Sequence, residues 1–257
     1  MIQLEARACS LHLGRLAQAP TLEDVTCGLR SGELVGIIGP NGAGKSTLTR
    51  ALAGLLPSSA IFLNDRPLKS LSAAERARKV AYLAQSTPTP WPMSAWDVVS
   101  LGRLPHRDGH LPQGHAAIAK ALEQVKAWPF AKRPLDRLSG GERARIALAR
   151  ALAVEAPILL ADEPIAHLDP AHQLQTLSLL RARADGGDAV MVVLHDLSLT
   201  ARFCDRVLII CQGRVIADGA PDEVMEENRL RQVFGISTAR GTWNGDAFLL
   251  PWGAASS

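Results

Sequence analysis

Gly39 to Thr47 read GPNGAGKST, a match to G-x-x-x-x-G-K-[ST] in which each fixed residue has a job on a polyphosphate. The glycines Gly39, Gly42 and Gly44, spaced by Pro40, Asn41 and Ala43, let consecutive backbone N–H groups converge on phosphate oxygens. A helix opening at the same place adds the positive end of its dipole. Lys45 is placed to reach the β- and γ-phosphates, the Ser46 hydroxyl to ligate Mg²⁺, and Thr47 to contact a phosphate further back. Mg²⁺ keeps several waters and takes few carboxylates, so one acid is needed at the end of a neighbouring strand. ILLADEP supplies it. Asp162 would hold the metal through water, and Glu163 sits where it could orient and deprotonate an attacking water. Tandem acids in a loop are ordinarily just solvated, but these follow an apolar strand directly. No N-K-x-D base-reading motif occurs, which disfavours GTP and leaves ATP.

A second glycine-bearing stretch, RLSGGERAR, runs from Arg137 to Arg145. Ser139 and Glu142 form S-x-x-E, a capping box, and the sequence after them has the apolar period of a helix. That explains the serine and the glutamate. It does not explain Gly140 and Gly141, since each glycine in a helix costs up to about 1 kcal/mol relative to alanine. Close approach of another group to bare backbone N–H groups at a helix N-terminus does, and the matching group is an anion such as a second nucleotide's γ-phosphate.

These residues need a rigid frame. ELVGIIGPNGAGKSTLTRALAGLLP reads as a buried strand, the glycine loop and a helix ending at Gly54. APILLADEP is a second strand, and DAVMVVLHD a third that leads into a helix at LSLTARFC. Continuous apolar strands alternating with helices predict an α/β fold with a mainly parallel sheet covered on both faces. MIQLEARA alternates, and RVLIICQGRVIADG reads as a hairpin turning at Gln212 and Gly213, so antiparallel strands are expected at the ends. Residues 86–137 break the pattern and read as an inserted helical subdomain. The tail after Phe234 shows turn residues and isolated apolar ones, with frayed final residues. The expected organisation is one domain over 1–236, with a core of 1–85 and 138–236, the insert 86–137, and a tail 237–257.

At 257 residues and 47% hydrophobic composition the chain can bury a full core. Its apolar runs fall far short of the roughly 18 residues of a membrane span, and no export signal opens it, so a soluble intracellular protein is expected. Cys9, Cys27, Cys204 and Cys211 are scattered without C-x-x-C spacing, which predicts buried, reduced thiols. The net charge of +3 is too small to argue for a nucleic acid partner. The basic excess lies between Ser86 and Arg137, either as a solvated helical face or as a contact surface.

LSGGE following a phosphate loop and preceding DEP resembles the signature of ABC-type ATPases, over roughly Leu4 to Gly235. The resemblance implies a P-loop ATPase core carrying an antiparallel β subdomain and an α-helical insert. It implies a head-to-tail dimer of two copies, with two ATPs sandwiched between the phosphate loop of one and the Ser139–Gly140–Gly141 signature of the other. It implies that Gln85, in AYLAQ, senses Mg²⁺ and the γ-phosphate and tethers the insert. Asp169, in IAHLD, matches the aspartate loop crossing the dimer interface, and His195, in VLHD, the switch histidine on the γ-phosphate. Two departures stand out. No aromatic residue precedes Phe62 to stack on adenine, where Leu13 or His12 falls instead; and Ala166–His167 replace the usual residues before Leu168, where many relatives have a serine.

SLGRLPHR, ERARKVAYLAQ and LDPAHQL resemble the ATP-binding subunits of importers for iron–siderophore, haem or vitamin B12. That resemblance implies integral membrane permease partners docking on the helical insert, an indirect link to a substrate-binding protein, and a peripheral place on the cytoplasmic face of the inner membrane. Trp91 and Trp96 are candidate docking anchors or, alternatively, core residues of the insert. The competing expectations are an ABC transporter for another substrate, an exporter, or a DNA-repair ATPase of the same class. The last would need long coiled coils between the two halves of the site, and no sustained heptads occur.

Overall fold

The computed structural model describes residues 3–12, 21–85, 93–243 and 245–254. Leu13 and Trp91, singled out above, lie outside the described residues. Antiparallel strands β1 (Gln3–Leu11) and β2 (Leu22–Arg30) lead into β3 (Leu34–Ile38) and helix α1 (Lys45–Leu52). A short pair, β4 (Ile61–Leu63) and β5 (Arg66–Pro67), precedes α2 (Ala73–Lys79) and β6 (Val80–Leu83). Helices α3 (Ala95–Ser100) and α4 (Pro112–Gln124) follow, then α5 (Gly140–Leu152). Strand and helix alternate through β7 (Ile158–Asp162), α6 (Pro170–Asp185), β8 (Ala189–Val193), α7 (Leu197–Phe203) and β9 (Arg206–Cys211). The chain closes with β10 (Arg214–Gly219), α8 (Pro221–Val224), α9 (Glu227–Phe234), β11 (Ile236–Trp243) and β12 (Asp246–Ala254).

The central sheet has the order β10-β9-β3-β8-β7-β6 and is parallel except for β10, which turns back on β9 as the hairpin at Gln212–Gly213 predicts. Every residue of β3, β7 and β8 is buried, the pattern of strands covered on both faces. Alternate residues feed two cores. Leu34, Leu159, Val190 and Val192 face α5, α6 and the insert. Val35, Ile37, Leu160 and Val193 face α1 and the antiparallel sheet β2-β1-β4-β5.

The insert is stitched shut at its base, where Ala95 and Trp96 donate their N–H groups to the carbonyls of Arg133 and Ala131, and Leu135 to that of Met93. Trp96 packs against the core and meets His115 and Trp128 edge-on, with centroids 5.7 Å and 6.2 Å apart, so its position follows from packing within the insert. The LGR-x-PH residues grip the far end of α5. A Cβ on Gly102 would fall 2.3 Å from the Arg150 carbonyl oxygen. Arg103 donates to the Ala153 carbonyl and to Glu155, and forks onto both oxygens of Asp108; the His106 ring bonds the Val154 carbonyl at 2.8 Å. Arg103 is only 4% exposed, which removes it from any solvated face: a buried guanidinium is tolerated when paired and fully hydrogen-bonded.

The tail after Phe234 contains a long hairpin. β11 and β12 pair from Ile236↔Ala254 to Trp243↔Asp246 and dock on α7, where Ser198 Oγ donates to the Leu249 carbonyl. Across the hairpin, Phe248 covers Gly241, where a Cβ would meet its ring at 2.5 Å. The described residues contain no helix long and apolar enough to cross a membrane.

Candidate functional site

Parallel strands deliver their C-terminal ends to one edge of the sheet, where ligands bind in open α/β folds. β3 ends at the phosphate loop, β8 two residues before His195, β7 at Asp162 with Glu163 next, and β6 two residues before Gln85. A cleft of about 650 Å³ opens there, lined by Asn41 to Thr47 together with Thr21, Gln85, Glu163 and His195.

The loop conformation is imposed by neighbours. A Cβ on Gly39 would lie 2.0 Å from the Ile210 carbonyl oxygen of β9, and one on Gly44, at φ 106°, would lie 2.8 Å from that of Thr21. Gly44 is also the N-cap of α1, so the left-handed residue sets the helix axis at the cleft. Lys45 Nζ lies back over the loop, donating to the carbonyls of Gly39 at 2.7 Å and Pro40 at 2.9 Å. Burial lowers its pKa, and the charges of Glu163 and Asp162 oppose that shift.

Asp162, 2% exposed, is held by both oxygens. Ser46 Oγ donates to Oδ1 at 3.1 Å, and the Tyr82 hydroxyl to Oδ2 at 3.3 Å. Burial pushes the Asp162 carboxyl above its ordinary range, while the two hydrogen bonds pull it back and Glu163 adds to the rise. The Tyr82 phenol is pushed up to about 12, first by burial and then by Asp162, so it stays protonated and donates. Hydroxyl and carboxylate oxygens at the foot of a phosphate cleft are a hard donor set, which fits Mg²⁺ sharing its shell with phosphates and water.

Glu163 follows in left-handed backbone conformation, φ 53°, which turns its carboxylate toward the cleft mouth. Gln85 Nε2 donates to Oε2 at 2.8 Å and His195 Nε2 bonds Oε1 at 2.7 Å. Gln85, Glu163 and His195, distant in sequence, are thus one hydrogen-bonded group.

The signature stands elsewhere. Ser139 caps α5, accepting from the Glu142 N–H at 3.2 Å, while Glu142 Oε2 accepts from the Ser139 N–H at 2.7 Å. A Cβ on Gly140 would meet nothing within 4 Å, and one on Gly141 only Leu168 at 3.6 Å and the His167 carbonyl at 3.7 Å. Neither glycine has positive φ. Ser139, Gly140, Gly141 and Asp169 do not line the phosphate cleft. Asp169 caps α6, accepting from the His172 N–H at 3.0 Å and bonding its ring at 2.6 Å; the backbone contact leads in holding its carboxyl below the usual range. Tyr82 is the site residue that motif reading missed. Its signal was its place three residues before Gln85 on a buried strand next to the one carrying Asp162.

Fold and site together define a phosphate-loop ATPase. The family model described as ABC transporter matches residues 22–166. The hemin import ATP-binding protein HmuV of Streptomyces coelicolor is 45% identical over 227 residues, 87% of this chain and 80% of that protein. The cobalamin import ATP-binding protein BtuD of Halobacterium salinarum is 41% identical over 231 residues, 88% of this chain and 58% of that longer protein. Among solved structures, a dimeric bacterial ABC transporter cassette superposes with a TM-score of 0.76 at 26% identity, covering 85% of this chain and 98% of its own. The chain belongs to the ATP-binding subunits of the ABC transporter family, and is an ATP hydrolase of that class.

Proposed function

We propose that the chain powers an importer of a metal chelate, of the haem or cobalamin kind, working as a head-to-tail dimer beneath integral membrane permease subunits on the cytoplasmic face of the membrane. The relatives named for hemin and cobalamin import, similar over most of the chain, support the substrate class. The observation that carries the mechanism is the Gln85–Glu163–His195 group at the mouth of the phosphate cleft.

In this reading the loop N–H groups receive the triphosphate, and Lys45 exchanges the Gly39 and Pro40 carbonyls for β- and γ-oxygens. Ser46, with Asp162 behind it and Gln85 within reach, would hold Mg²⁺, which would supply charge neutralisation to the phosphates. Glu163 orients a water and takes its proton, and His195 turns from the Glu163 carboxylate to the γ-phosphate. Ser139, Gly140 and Gly141 offer their helix N-terminus to the partner's γ-phosphate, with Asp169 at the interface. Closure of the pair then moves the insert, through the grip of Arg103 and His106 on α5, and so moves the permease. Loss of the γ-phosphate reopens it.

Ser139→Arg tests the shared site. It leaves ATP binding to the isolated chain intact and abolishes hydrolysis that depends on dimer formation; hydrolysis at the native rate contradicts the reading. Co-purified permease subunits, with ATPase stimulation by binding proteins carrying haem or cobalamin, test the substrate class. Stimulation only by an unrelated ligand counts against it.

A further inference from the structure

The two donors on Asp162 differ in what else they do. Ser46 belongs to the phosphate loop, so its oxygen is available to a metal while its proton goes to Asp162 Oδ1. Tyr82 lies outside the phosphate loop; its hydroxyl goes to Asp162 Oδ2, with the Thr49 hydroxyl of α1 beside it, and its ring packs with the core that includes Leu160 and Val193. Parallel pairing sets Tyr82 opposite Leu160, two residues before Asp162 on the same face of β7. An aromatic side chain spans that diagonal, and its rigid ring fixes where the hydroxyl falls.

We infer that Tyr82 is a positioning residue for the metal-dependent step of nucleotide binding: by holding Oδ2 it fixes the plane of the Asp162 carboxylate, so that Oδ1 stays on the Ser46 side of the cleft. This rests on the Mg²⁺ reading above. Phenylalanine keeps the ring and its packing and removes only the hydroxyl. It leaves one oxygen of a nearly buried carboxylate without that donor, free to swing away from the loop.

The experiment measures binding of a fluorescent ATP analogue to the isolated full-length chain, in EDTA and across a Mg²⁺ titration, for the native chain, Tyr82→Phe and Asp162→Asn. In EDTA all three bind alike. The Mg²⁺ concentration at half effect rises about three- to tenfold in Tyr82→Phe, as loss of one hydrogen bond of ordinary net strength, about 1 kcal/mol, predicts, and at least as much in Asp162→Asn. Tyr82 is the chain's one tyrosine, so ¹³C-tyrosine labelling gives a single NMR signal. In the native ATP-loaded chain that signal shifts when Mg²⁺ is added, a readout that does not depend on any variant folding. Unchanged Mg²⁺ dependence in Tyr82→Phe beside a raised requirement in Asp162→Asn overturns the role of Tyr82 alone. Unchanged dependence in both overturns the metal reading together with it.

Discussion

Gly39 and Gly44 are glycines because this chain leaves no space for anything larger: an added Cβ would fall 2.0 Å from the Ile210 carbonyl oxygen of β9 at one and 2.8 Å from that of Thr21 at the other. Gly140 and Gly141 sit at the head of α5 with ordinary helical φ and nothing closer than 3.6 Å to an added Cβ. The fold gains nothing from glycine there and loses helix propensity by it. One turn is shaped from within; the other, in the function proposed above, is open for the partner copy's nucleotide. A single copy accordingly holds a phosphate cleft lined by Gln85, Glu163 and His195, with Asp162 buried behind Ser46, and an exposed capped helix end that does not line that cleft.

The largest effect expected from this contrast is that of Gly39→Ala. Forcing a methyl against the Ile210 carbonyl should cost about 3 kcal/mol or more and remove ATP binding, read as a lowered urea midpoint and lost fluorescence of a bound nucleotide analogue. A variant that folds and binds ATP normally would break the claim that the first turn is internally dictated. Glu163→Gln probes the step that needs both halves. Hydrolysis falls about a hundred- to ten-thousandfold while ATP still binds, and light scattering detects an accumulating ATP-bound dimer; full turnover would remove Glu163 from the base role. The smallest effect concerns the base end of the nucleotide, where the family resemblance implies a stacking aromatic and no Phe, Trp or Tyr precedes Phe62. Leu13→Tyr should tighten ATP by up to about tenfold in a calorimetric titration, and an unchanged affinity would show that stacking is not what this chain lacks.

Short-range signals carried much of this. The phosphate loop, the Asp162–Glu163 pair, the S-x-x-E cap and the Gln212–Gly213 turn are contiguous patterns whose residue types are dictated locally, and all were readable. What escaped depends on partners distant in sequence. Arg103 counts as surface charge until Asp108, Glu155 and the end of α5 close around it. The hairpin of β11 and β12 hides in a segment of turn residues because its order comes from docking on α7 and from Phe248 filling the space over Gly241. Tyr82 lies within AYLAQ, where Gln85 alone is read for function, and it is the register of β6 against β7 that puts its hydroxyl on Asp162.

The most direct test of the contrast is Gly140→Gln, followed by urea unfolding, ATP binding to the isolated chain, and ATP-dependent dimer formation in a Glu163→Gln background. A good helix former in open space should leave the midpoint unchanged or raise stability by about 0.5–1 kcal/mol. ATP affinity should not change, and the ATP-bound dimer should be lost. A fall in stability like that of Gly39→Ala, or a dimer that forms as before, would contradict the account.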